Sequence, residues 1–214
     1  MPAADATLVA WWARLSDPGE PGRPATRTLV GVLSDEFPAH TLVDLPGDHR
    51  PSGWIVAVRT DPASGRALTV DVRLPHAPLL WYVEVGEPDA DPPATTLVAF
   101  SDPRYPDGTV LAGSEARAAG VLGEQQVAAL RWWPHLGLAN QIYVAPAHRR
   151  RGIAAKLGHA AFALQRAREL PDLHADGRRT DLGENWREGL PAYVAWRLAP
   201  RTHRLPPMDA RFSG

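Results

Sequence analysis

Three consecutive arginines, Arg149, Arg150 and Arg151, stand immediately before Gly152 and an apolar helical pattern. The first backbone N–H groups of a helix have no internal partner, and the helix dipole makes that end attractive to anions. Gly152 has no Cβ, so a phosphate can approach the main chain closely. Cations at this end oppose the dipole and weaken an isolated helix. The conflict is relieved if an anion sits there. The alternative is a solvated basic turn ahead of an ordinary core helix.

Two elements must position that turn. Before it, Ile142, Tyr143 and Val144 are apolar and β-prone and read as a buried strand, which Pro146 stops. After it, Ile153, Leu157, Ala160, Ala161, Leu164 and Ala167 fall on one helical face, and Pro171 ends the pattern. The unit is strand, basic glycine-containing turn, helix.

This stretch resembles motif A of the GNAT superfamily of N-acetyltransferases: Gln or Arg, two residues, Gly, one residue, then Gly or Ala. Here the motif is Arg149-Arg150-Arg151-Gly152-Ile153-Ala154, and Val144-Ala145-Pro146 matches the family's approach to it. The resemblance implies an α/β (α+β) fold with a mixed, mostly antiparallel central sheet flanked by helices. It implies acetyl-CoA as co-substrate. Ile142, Tyr143 and Val144 would meet the pantetheine arm, and Arg149, Arg150, Arg151, Gly152, Ile153, Ala154 and Ala155 would wrap the pyrophosphate. The acceptor would be an amine on a small molecule or protein, attacking the thioester directly. The Val144 amide would be the oxyanion donor.

The acid–base groups depart from the family's pattern. Many members carry a glutamate four or six residues before the motif valine, where this chain has Asn140 and Leu138. An amide cannot take a proton from an ammonium, though it can orient a water. His135 is carried into the expected site as base, with Glu115, Glu124, His174 and Asp176 as other candidates. Each also reads as a turn, cap or surface residue. The family's usual tyrosine acid would fall near Trp186 or Arg187, in a helix capped by Thr180 or Asp181. Tyr193, beyond Pro191, is the nearest tyrosine and stands as the acid candidate. The family also tolerates catalysis through ordered water.

The rest of the chain reads as strands and proline-rich loops. Strands are expected over 28–33, 54–58, 67–74, 79–85 and 96–100, with 61–65 as a hairpin turn. The apolar run at residues 8–12 fits a short helix or a strand. Strands over 117–122 and 127–133 are expected to precede the motif strand, unless 115–130 is partly helical. Of Trp132 and Trp133, alternation sends one into the core and one outward. A short strand over 172–174, splayed from the motif strand, is expected after the long helix. The two helices that the family usually places between its first two strands are not visible. The expected organisation is a β-rich region over 1–100, either part of the same fold or a unit of its own, an acyl-CoA-binding core over 101–200 and a tail over 201–214.

Composition sets the remaining bounds. In 214 residues the net charge is -1, which argues against nucleic acid. There is no cysteine, hence no disulfide, thiolate metal site or cysteine nucleophile. No His, Asp or Glu cluster has metal-ligand spacing, so no metal is expected. No run approaches membrane-spanning length, and residues 1–12 do not read as a signal peptide, so a cytoplasmic protein is the expectation. A homodimer is left open. The alternatives are a non-catalytic acyl-CoA-binding or structural relative and, behind it, a nucleic-acid module using His148 to Arg151.

Overall fold

The structure is a computed structural model that describes residues 10–19, 24–47, 49–189 and 198–206. Strands β1 (Ala10–Asp17), β2 (Thr26–Leu33), β3 (Leu42–Pro46), β4 (Trp54–Thr60) and β5 (Ala67–Val72) form one sheet, ordered β3-β1-β2-β4-β5. Strands β6 (Trp81–Glu87), β7 (Ala94–Phe100), β8 (Val110–Ala112), β9 (Ala128–Trp133), β10 (Leu138–Val144) and β11 (His174–Ala175) form a second, ordered β11-β10-β9-β7-β6-β8. The helices are α1 (Gly113–Ala118), α2 (Ile153–Ala167) and α3 (Asp181–Glu188), and β12 (Arg178–Arg179) pairs with β13 (His203–Arg204). The fold is mixed α/β with strand predominating.

The first sheet explains the apolar run near the start. β1 is buried on both faces: Trp12 joins the core around α2, while Trp11, Ala13 and Leu15 pack on the far side with Val30, Val32 and Ala57. A strand covered on both sides shows no alternation, which is why periodicity alone left it between helix and strand. In β5, Val70 and Val72 face α2 as alternation predicts. β3 was not foreseen. It is short, ends in Pro46 and pairs with β1 in parallel at the edge, where proline is tolerated.

Helix α2 fills the angle between the sheets. Its core neighbours include Val56, Val58, Val70 and Val72 from the first sheet and Leu97, Ala128, Leu130 and Trp132 from the second. The sheets meet where Thr69 bridges Thr109 and the Val70 amide donates to Gly108 O, 2.7 Å. The expected single apolar face is therefore too narrow. Lys156, Gly158, His159, Ala163 and Gln165 are buried as well. Repeated alanine lets both sheets approach the helix closely.

Two expectations about strands in the middle of the chain are corrected. Residues 117–122 form no strand: residues through Ala118 are helical and 123–125 make a 3-10 turn. β9 pairs instead with β7, antiparallel, and the connection runs through β8 and α1. Leu79 lies before β6 and is 70% exposed. Residue 100, the expected end of the N-terminal region, is the last residue of β7, inside the second sheet. Among the described residues no helix is long and apolar enough to cross a membrane.

Candidate functional site

The site begins as a fork between two strands. β10 and β11 run parallel but pair only at Leu138 with His174 and Ala139 with Ala175. At that point β10 bulges between Ala139 and Gln141. A bulge bends its strand and increases local twist, and the pairing ends there, with β11 stopping at Ala175 and β10 continuing to Val144. Residues 142–144 pair with β9 on one side, have no described strand partner on the other, and are half-buried. That corrects the expectation of a fully buried strand.

The direction of the backbone groups follows from one bond. Ala145 donates its amide to Val127 O on the β9 side, 2.9 Å. Amides alternate sides along a strand, so those of Ile142 and Val144 point into the fork. The Val144 carbonyl faces the same way, and Arg149 Nε donates to it at 3.0 Å. Arg149 thus crosses the mouth of the fork.

The turn follows directly. Pro146–His148 makes one 3-10 turn, and its His148 amide returns to Ala145 O, 2.8 Å. Arg150 has φ 61° and Gly152 φ 75°. A left-handed arginine is uncommon and costs about 1–2 kcal/mol. Gly152 is the N-cap of α2, and no side chain caps that end. The first amides of α2, uncapped by any side chain, therefore stand beside three exposed arginines, Arg149, Arg150 and Arg151.

The missing Cβ of Gly152 serves a different purpose from the one expected. A Cβ there would stand 3.2 Å from Ala77 Cβ and 3.5 Å from Leu74 Cδ2. The glycine admits the loop after β5 rather than a ligand. One turn on, buried Lys156 Nζ donates to Pro78 O at 3.0 Å and to Asp107 at 2.8 and 3.1 Å. Asp107 also accepts the Leu80 amide, 2.6 Å. These bonds tie two loops to the first turn of α2. The sequence signal was available: a lysine inside an apolar helical stripe needs a partner.

The closed end of the fork is pinned by Gln165. Its amide nitrogen donates to Pro134 O at 2.9 Å and Pro171 O at 2.8 Å, ahead of β10 and β11 respectively. Its oxygen accepts from Trp132 Nε1, 3.0 Å. Trp132 is thus the inward tryptophan, and Trp133 is half-buried.

The ionisable candidates are scattered. His135 is exposed in the 3-10 turn before β10, at the opposite end of that strand from the basic turn. The structure does not bring it together with Val144. Glu115 caps α1 through the Ala112 amide, 2.9 Å, and pairs with Arg66, 2.8 Å. Glu124 lies in an exposed 3-10 turn, and His174 is exposed on β11. Asp176 follows β11 directly, at the fork. Burial opposes its ionisation, but the Arg178 amide and guanidinium outweigh that and hold the carboxyl below the usual aspartate range. The shift disfavours a base that must take a proton near neutral pH. Tyr193 lies outside the described residues. Thr180 caps α3, accepting from the Gly183 amide at 3.1 Å, and Trp186 packs near Gly158 of α2. Among the described residues no group of three or more His, Cys, Asp or Glu is placed to hold a metal.

The fork and turn can bind an extended, anion-tailed ligand: strand amides for a polar chain, helix amides and arginines for its charge. No family model, curated protein or solved structure matches the chain.

Proposed function

We propose that the chain binds acetyl-CoA in the fork between β10 and β11 and transfers its acetyl group to an amine, as a GNAT-type N-acetyltransferase. One observation carries the reading. A strand parts from its parallel neighbour after two paired residues, at a bulge, and leads into a basic turn at an uncapped helix start. Pantetheine would run along Ile142, Tyr143 and Val144. Its pyrophosphate would meet the amides of Ile153, Ala154 and Ala155, with Arg150 and Arg151 beside them. Arg149 would exchange its bond to Val144 O for one to the ligand, or keep it and shape the mouth.

In this reading the protein supplies proximity and an oxyanion donor, and the Val144 amide points to the open side as that role requires. Proton transfer is left to water. Asn140, at the bulge, and the carboxylate of Asp176 border the fork and can order one. The same departures support a second reading, an acyl-CoA-binding protein without turnover.

Calorimetry with acetyl-CoA tests the first claim. Saturable binding is expected, with about 2.7 kcal/mol of added stability at ~100 times the dissociation constant. An absence of binding ends both readings. A pH series of CoA thiol release across an amine panel separates them, because the non-catalytic reading requires binding with no release.

A further inference from the structure

A second cleft opens beside the turn, at the same end of the second sheet but on the β9 side of β10. It has a volume of about 530 Å³ and is lined by Ser101, Asp102, Arg104, Gln125, Val127 and His148. That volume lies within the range of small-molecule sites. The floor is Val127, buried between the ends of β7 and β10 through its amide bond to Ala99 O and its carbonyl bond from Ala145.

The polar groups on its walls are held in place but not satisfied. Asp102 Oδ1 accepts from Trp81 Nε1 at 3.2 Å and from the Arg104 amide at 2.9 Å. The carboxylate is thereby fixed, and among the described residues its other oxygen has no partner. Arg104 gives one N–H to Gln125 Oε1, 2.9 Å, which leaves most of its five donors available. His148 Nδ1 is shielded from solvent and has no hydrogen-bond partner.

We infer that this cleft binds a free α-amino acid, or a compound with the same ammonium-and-carboxylate end. A purely anionic ligand would meet Asp102, and a purely cationic one would meet Arg104. A zwitterion places its ammonium on the fixed carboxylate and its carboxylate on the guanidinium, whose parent residues stand two apart in one loop. Val127 offers an apolar surface to its side chain, and the His148 side chain lines the wall beside it. The site does not rest on the acyl-CoA reading, and its test uses no CoA.

The test is calorimetry of the full chain against the common L-amino acids, each beside its N-acetyl and its carboxamide derivative. Saturable binding of at least one free amino acid is expected. Blocking either end should weaken it about tenfold or more, the lower bound for losing a hydrogen bond to a charged group. Arg104→Gln keeps the loop's backbone bond to Asp102 and should fold normally. It should remove the preference for the free acid over the carboxamide while leaving carboxamide affinity unchanged. If no amino acid binds, or if the doubly charged end confers no advantage over the blocked ones, the inference is wrong.

Discussion

At the scale of single residues, Lys156 and Gly152 both anchor the turn from behind. The Lys156 side chain is 3% exposed and its partner Asp107 is 33% exposed. Lys156→Ala should cost about 3 kcal/mol, the lower end for breaking a buried pair, because Asp107 can turn towards water. Urea midpoints at an unchanged slope would measure it, and a loss under 1 kcal/mol would mean the pair is dispensable. Gly152→Ala should cost about 1–2 kcal/mol from the left-handed backbone alone, with the Ala77 contact adding to it. By contrast, Arg150→Gln with Arg151→Gln should leave stability nearly unchanged and weaken acetyl-CoA by roughly 1–3 kcal/mol. Turnover at saturating cofactor should hold, since contacts distant from the thioester are equal in ground and transition states. A collapse of turnover at constant Michaelis constant would remove the arginines from the cofactor site. The basic turn was legible because its residue types are local. The partner of Lys156 was not, because Asp107 is 49 residues away and only the fold joins them.

Among the elements, the fork depends on β10 and β11 being held at one end and released at the other. Gln165 does the holding. Gln165→Leu would leave Trp132 Nε1 and the carbonyls of Pro134 and Pro171 without partners, and should cost about 2–4 kcal/mol. It should also weaken acetyl-CoA, although it touches neither the turn nor the mouth. Equal affinity in the variant, by calorimetry, would show that the closed end does not set the geometry of the open one. The short strand expected over 172–174 lies at His174–Ala175 and shares one residue with that expectation, while the Thr180 cap was legible from its type. The pairing of β7 with β9 was not. Two loops, β8 and α1 intervene, and nothing in residues 101–127 states that the chain will cross and return. The strand expected over 117–122 was drawn from the family's usual meander, and the actual residues preferred a short helix with Glu115 at its start.

Taken whole, the largest buried cluster among the described residues is shared by both sheets and α2, with a smaller one on the far side of each sheet. Unfolding should therefore follow a single transition, with fluorescence and circular dichroism coincident, and two separated transitions would contradict the shared core. Acid should act through paired carboxylates. Glu87 is held below the usual glutamate range by Arg131 and then Thr96, and Glu184 by Arg179. A lowered folded-state value stabilises above the unfolded value and is lost as pH falls through the folded one. Stability from these pairs should be level near neutrality and decline below about pH 4.3. Glu87→Gln should shrink that decline, and an unchanged acid limb would place the sensitivity elsewhere. The two-residue pairing of β11 has one more consequence. A strand edge with unpaired N–H and C=O groups recruits strands from other molecules. Here the unpaired stretch lies between β10 and its own neighbour, bent by the bulge and crossed by Arg149. Of the outer strands, β8 has three residues, β11 two, β3 ends in proline, and the six-residue β5 is partly covered by the Thr69–Thr109 bridge and the Val70 bond to Gly108 O. The chain can keep strand bonds open for a ligand without offering a template for fibrils.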